Sequence, residues 1–216
     1  MLLSTDSFSE PGEHAFTFKG PVGTLEGMYM IPEVRYTNEI AMLGHPNSLQ
    51  GGSMSNKVVT TLARAFRDVG VPSVRFNFRG VGHSQGQFTN GPGESEDMLA
   101  LMSHIETLIP TVEWLLAGFS FGSYVAYRAA LKQTPRWLLS VAPPIERYDY
   151  TQDPGCPWLI VQGDADEVVD SAGVFDFAEQ HTPPLNIIRF AETSHFFHGK
   201  LLALRKTVEK LYDEFT

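Results

Sequence analysis

A single cysteine, Cys156, stands in the 216 residues, so no disulfide within the chain can hold the fold. Its apolar setting beside Pro157 and Trp158 reads as a core-filling thiol and not as a reactive one. No apolar run reaches the eighteen or so residues that a membrane span needs. Between Met1 and Glu13 the acids Asp6, Glu10 and Glu13 occupy the place where a secretory signal would have a basic start and a continuous apolar core. No export signal is expected, and the cytoplasm is the expected location. Positive charge is scarce: 16 Lys and Arg face 25 Asp and Glu, for a net charge of -9. The basic residues form no stripe that could track a phosphate backbone, which excludes nucleic acid as an expected partner, and with no span a membrane is not expected either. No G-x-G-x-x-G or P-loop pattern occurs, and His195 and His198, three apart, have no further ligands at matching spacing. Neither a cofactor nor a metal is expected.

What the chain does have is apolar material, 43% of its residues, enough to bury the core of one domain over 1–216. Ala15 to Lys19 and Thr24 to Met30 alternate in polarity around the turn Gly20-Pro21-Val22-Gly23, which predicts an antiparallel pair at a sheet edge. Glu39 to Gly44, Val74 to Phe78, Val112 to Phe119, Trp137 to Val141, Trp158 to Gln162 and Leu185 to Ala191 read as strands, most of them continuous apolar runs suited to burial on both faces. Between them, apolar residues recur at helical spacing: Val58, Val59, Leu62, Ala65, Phe66 and Val69 after Ser53, then Met98 to Ile109 from about Ser95. Further helices are predicted over Ser123 to Leu131, Ala172 to Gln180 and about Phe197 to Phe215. Strand and helix in alternation mean an α/β fold, with a mainly parallel twisted sheet covered on both faces. The connection Pro143 to Gly155 is too short for a separate cap domain, and no repeat or inter-domain linker is present.

The pattern G-x-S-x-G occurs twice, as Gly82-His83-Ser84-Gln85-Gly86 and as Gly118-Phe119-Ser120-Phe121-Gly122, so the pattern alone decides nothing. Context does. A nucleophile elbow requires a strand before the serine and a helix after it. Ser120 follows an apolar strand and precedes Tyr124, Val125, Tyr127, Ala130 and Leu131 at helical spacing. Ser84 lies in a glycine-rich loop, followed by Asn90-Gly91-Pro92-Gly93, and reads as a turn residue. A serine hydroxyl also needs a base and an acid to orient that base. His195 stands just beyond the last strand, and the carboxylates of Asp164, Asp166, Glu167 and Asp170 lie just beyond Trp158 to Gln162. Strand polarity puts all of them at the carboxyl edge of the sheet with Ser120.

Over nearly its whole length the chain resembles the α/β-hydrolase superfamily, most closely the small capless bacterial hydrolases related to dienelactone hydrolases and serine esterases. Five segments carry the likeness: Gly44-His45-Pro46-Asn47, Arg75 to Ser84, Gly118 to Gly122, Gly163 to Asp166 and Ser194-His195-Phe196-Phe197. The resemblance implies an α/β-hydrolase fold and a serine hydrolase with Ser120 as nucleophile, His195 as base, and Asp166, fourth in a G-x-x-D pattern, as acid ahead of Asp164 and Asp170. It also implies an oxyanion hole of backbone N–H groups. Phe121 supplies one. Where many relatives have His-Gly this chain has His45-Pro46, and proline has no N–H, which leaves Asn47, with Ser48 or Leu49 if the loop runs differently. The implied substrate is a small carboxylic ester; a thioester or amide cleaved by the same residues, or a silent binding protein of the same fold, are the alternatives. His45 is expected to brace the oxyanion loop, and Phe119, Phe121, Phe196 and Phe197 to be core before pocket, with Phe121 the candidate for the pocket. Arg75 and Arg79 either meet an anionic substrate or pair with carboxylates.

Overall fold

The structure, a computed structural model, describes residues 3–35 and 37–215; Met1 and Leu2, where the stretch read for a signal begins, lie outside them. Strands β1 (Gly12–Gly20) and β2 (Gly23–Ile31) form the expected antiparallel hairpin. The remaining strands are β3 (Glu39–Gly44), β4 (Ser73–Phe76), β5 (Glu113–Phe119), β6 (Trp137–Val141), β7 (Trp158–Gly163) and β8 (Asn186–Phe190). They assemble in the order β1-β2-β4-β3-β5-β6-β7-β8, antiparallel as far as the β2–β4 pair and parallel from there on.

The pleat sorts each buried strand between two cores. Ile40 and Met42, Trp114 and Leu116, and Leu138 join the cluster on one face, which includes Met98, Leu101 and Val125. Ala41 and Leu43, Leu115 and Ala117, and Trp137 and Leu139 face the other, with Val58, Leu62 and Leu204. Both faces of these strands are covered, so their sequences carry no polar alternation. The helices are α1 (Lys57–Asp68), α2 (Pro92–Leu108), α3 (Phe121–Ala130), α4 (Ser171–Gln180) and α5 (Leu201–Phe215). Helices α1 and α5 pack on one another across one face of the sheet, and α2 packs on α3 across the other.

Several boundaries differ from the sequence reading, among them the start of β1 at Gly12, of α1 at Lys57 and of α3 at Phe121, and three others have a visible cause. Helix α2 starts at Pro92, three residues before Ser95, because Gly91 turns the chain at φ 118° and the Glu94 carboxylate accepts from the N–H groups of Thr89 and Gly91, both at 2.8 Å. Proline at the first helical position has no N–H to lose. Helix α5 starts at Leu201 and not Phe197, since Phe197 and Gly199 sit at φ 54° and 72°, outside helical geometry. Strand β4 stops at Phe76. Beyond it the Asn77 N–H still donates to the Glu26 carbonyl of β2 at 2.9 Å, but the Asn77 carbonyl accepts from the Ser84 hydroxyl at 2.7 Å, which turns the chain into the following loop.

Both arginines of this region are committed to the fold. Arg79 donates to both oxygens of Asp97, at 2.7 and 2.8 Å, in a buried pair that anchors the loop to α2. Arg75 donates to the Met54 carbonyl at 3.1 Å and pairs with Glu13. Cys156 is half-buried against the first core cluster. Burial pushes its thiol up to about 12, so it stays protonated at neutral pH and is a poor nucleophile.

Candidate active site

The register of the parallel strands brings the site together. Gly44 pairs with Gly118, Phe119 with Val141, Val141 with Val161, and Gly163 with Phe190. The strand ends are therefore level, and the residues that follow, Asn47, Ser120, Asp166 and His195, emerge along one edge of the sheet.

Ser120 sits between β5 and α3 at φ 54° and ψ -126°. This is a sparsely populated conformation for a residue with a side chain, worth on the order of 1–3 kcal/mol of strain. Its surroundings hold it there. The Ser120 N–H donates to the Val141 carbonyl at 2.8 Å; the Ser120 carbonyl accepts from the Ser123 N–H at 2.8 Å and the Ser123 hydroxyl at 2.6 Å. The flanking glycines have a steric reason. A Cβ on Gly118 would collide with the Gly122 backbone, and one on Gly122 with the backbone of Gly44 and His45, so the turn closes only where side chains are absent.

His195 Nε2 lies 3.1 Å from Ser120 Oγ, and its Nδ1 lies 2.8 Å from Asp166 Oδ2. The imidazole is 2% exposed and packs against the rings of Phe119 and Phe196, at centroid distances of 4.9 and 5.0 Å. Asp166 is fixed in turn: Oδ1 accepts from the N–H groups of Val168 and Val169 at 2.9 and 2.8 Å, and Oδ2 accepts from Gln162 Nε2 at 3.0 Å. Burial works against its charge, but the bonds from His195, Val169 and Val168 outweigh it and hold the carboxyl below the usual aspartate range. The two competing acids are elsewhere. Asp164 accepts from Arg189 at 3.1 Å and from the Glu192 N–H at 2.6 Å, and Asp170 stands at the N-cap of α4.

The loop after β3 closes the other side. Phe121 opens α3, and the N–H groups of a first helical turn have no intrahelical partner. Asn47 faces the same cleft as Ser120 and His195. The Leu49 N–H is already bound to the Asn47 side chain at 2.8 Å, which removes Leu49 from the donors considered for this loop. His45 is a brace, as expected: Nε2 accepts from the Phe78 N–H at 2.9 Å, so Nδ1 carries the proton and donates to the Pro46 carbonyl at 2.7 Å. Burial lowers its pKa to about 4, and the ring stacks on Phe78 at 3.9 Å. The cleft holds about 470 Å³ and is lined by Asn47, Gln50, Ser120, Val168, His195 and Phe196, among others. Phe196 is 41% exposed and forms part of this wall, whereas Phe121, the aromatic singled out as a pocket candidate, is core: it is 1% exposed and packs against Phe78, Phe88 and Tyr148.

No protein-family model matches the chain. A crystal structure from Xanthomonas campestris, described as a member of the α/β serine hydrolases without a lid, is 44% identical, with 94% of each chain covered and a TM-score of 0.89. An α/β serine hydrolase homologue from Coxiella burnetii is 43% identical over 91% of this chain and 96% of its own, with a TM-score of 0.88. A Rickettsia prowazekii protein described only as uncharacterized is 33% identical over 203 residues, 88% of this chain and 85% of its own length. The chain belongs to the lidless α/β serine hydrolases.

Two residues hold the site of this hydrolase in ways the sequence did not show: Gln162 was not singled out, and Glu167 was named only among the candidate acids. Gln162 is fully buried and steadies Asp166; its signal is the polar end of the apolar run Trp158 to Val161. Glu167 accepts from the backbone N–H of His195 at 3.0 Å, a contact across 28 positions that no local pattern announces. Ser84 is 5% exposed, accepts from the Glu26 N–H at 3.1 Å and donates to Asn77, so it serves the turn. Among the described residues no group of three His, Cys, Asp or Glu is placed to hold a metal ion, and no helix is long and apolar enough to cross a membrane.

Proposed function

We propose that the protein is a serine esterase that cleaves small carboxylic esters through an acyl-enzyme on Ser120. The observation that carries this is the hydrogen-bonded chain from Ser120 Oγ through His195 to Asp166 at the floor of an open cleft. Ser120 Oγ attacks the ester carbonyl as His195 Nε2 takes its proton, and Asp166 holds the resulting imidazolium in place. The carbonyl oxygen gathers negative charge, which the N–H groups of Phe121 and Asn47 receive; one such donor is worth about 3 kcal/mol of barrier. The tetrahedral adduct collapses with loss of the alkoxide, to which His195 returns the proton. Water, deprotonated by the same His195, then attacks the acyl carbon, and the acid leaves as Ser120 regains its proton. A fluorophosphonate probe should label the protein at Ser120, and Ser120→Ala should lose both the label and ester turnover. Full turnover in that variant would overturn the assignment, and amide cleavage with little ester turnover would move the substrate class.

A further inference from the structure

Next to the Ser120 cleft lies a second hollow of about 400 Å³, and Asn56 and Phe196 belong to the walls of both. The rest of the second hollow is made by Lys57, Val58, His198, Gly199 and Leu201. It contains no carboxylate, although acids outnumber bases in the chain. Lys57 is exposed, and the residues three and four positions along α1, where a helical partner would stand, are Thr60 and Thr61. It makes no salt bridge among the described residues, whereas Arg205, Lys206 and Lys210 of the adjoining α5 each meet a carboxylate. A cation without a carboxylate partner, in a hollow whose walls also include Val58, Phe196 and Leu201, is the complement of an anion on an apolar stem.

The chemistry at Ser120 decides which part of a substrate enters. His195 must return its proton to the leaving oxygen, so the alcohol departs on the His195 side. Phe196, the next residue after His195, and His198, three positions on, wall the second hollow, which places the hollow on that side. We propose that it receives the alcohol portion of the ester and that Lys57 binds a carboxylate carried on that alcohol, so that the preferred substrates are esters formed on the hydroxyl of a hydroxy acid. This rests on the esterase reading above. When the bond between the acyl carbon and the alcohol oxygen breaks, that oxygen takes the His195 proton and the first product is a free hydroxy carboxylate; water then releases the acyl group as its acid.

Three ester series with one scissile bond test this: the alcohol ending in a carboxylate, the same alcohol ending in the neutral primary amide, and the carboxylate moved to the acyl group. The native protein should favour the first over the second by roughly two- to fivefold in kcat/KM, through KM, as expected for a solvent-exposed ion pair, and the advantage should shrink as salt is added. Lys57→Gln should erase the preference and Lys57→Glu should invert it. No preference, a preference for the acyl-side carboxylate, or a preference that survives Lys57→Gln would overturn the proposal. The salt dependence in the native protein judges it even if a variant folds poorly. Calorimetry on Ser120→Ala separates it from the reading on which it rests. That variant should hydrolyse none of the esters yet still bind the carboxylate alcohol ester more tightly than the amide, and the difference should vanish in Ser120→Ala with Lys57→Gln. If Ser120→Ala still turns esters over, the esterase assignment falls while the binding difference still judges Lys57.

Discussion

In Gly82-His83-Ser84-Gln85-Gly86 the glycines take the unusual backbone, at φ 58° and 95°, and the serine is ordinary; in Gly118-Phe119-Ser120-Phe121-Gly122 the serine takes it, at φ 54°, and the glycines supply room. In the first segment the hydroxyl turns inward and is spent on the Glu26 N–H and the Asn77 carbonyl. In the second it points at His195 from the floor of a cleft. One five-residue pattern thus serves two purposes, and what separates them is which residue bears the strained conformation. Strain in a glycine relaxes a turn at little cost. In a serine it must be imposed from outside, here by the β5–β6 pairing, by Ser123, and by close backbone approach at Gly44 and Gly122.

The comparison can be broken most forcefully at the hydroxyls. Ser120→Ala should lower kcat by about a thousandfold or more, while Ser84→Ala should keep turnover within a few-fold and cost about 1–3 kcal/mol of stability for the stranded buried polar groups; ester kinetics and denaturant melts on the same pair of variants check both halves. The glycines come next. Gly122→Ala drives a Cβ into backbone and should cost about 4 kcal/mol or leave the chain unfolded, whereas Gly82→Ala meets only the side-chain ends of Glu26 and Asn77 and should cost about 1–3 kcal/mol for its positive φ.

His45 joins the two regions, since it lies on the loop beside Ser120 and accepts from Phe78 at the root of the Ser84 loop. Its pKa is about 4 in the native protein, against 6.5 ordinarily. Between these values the unfolded chain binds the proton and the folded one does not, so stability should rise by up to about 3 kcal/mol from pH 4 to pH 6.5 and be lost on acidification. Denaturation midpoints across that range should show the slope, and His45→Gln should flatten it. Asp166 acts at lower pH: its carboxyl is depressed, so the stability it contributes is present above the ordinary aspartate value and falls away as the pH drops toward its lowered one. The smallest effect is the sharpest test of strain. Ser120→Gly should be about 1 kcal/mol more stable than Ser120→Ala, because glycine accepts the positive φ, while Ser84→Gly should show no such gain over Ser84→Ala.

Much of this was legible beforehand. The apolar runs gave the strands because burial on both faces leaves no polar alternation, and Ser120 stood apart from Ser84 because only it has a strand before it and a helix after. His195 could be placed because it follows the last strand. The helix starts at Pro92 and Leu201 escaped the reading because they depend on Glu94 folding back onto Thr89 and Gly91 and on the left-handed turn at Phe197, neither of which is a matter of periodicity. Gln162 escaped because nothing in an apolar run marks its polar last residue as the partner of Asp166, and the role of Glu167, named only among the candidate acids, escaped because it meets the His195 N–H only when the turns after β7 and β8 come together.

The order of strands and helices, and with it the edge at which Asn47, Ser120, Asp166 and His195 appear, belonged to the sequence alone, because parallel strands joined through helices must all end on the same side. Which of Asp164, Asp166 and Asp170 faces His195 was decided by the tertiary structure. All three sit in one short acidic turn with the same side-chain chemistry, and only the N–H groups of Val168 and Val169, with the buried amide of Gln162, aim one carboxylate at the imidazole and leave Asp164 to Arg189 and Asp170 to the start of α4.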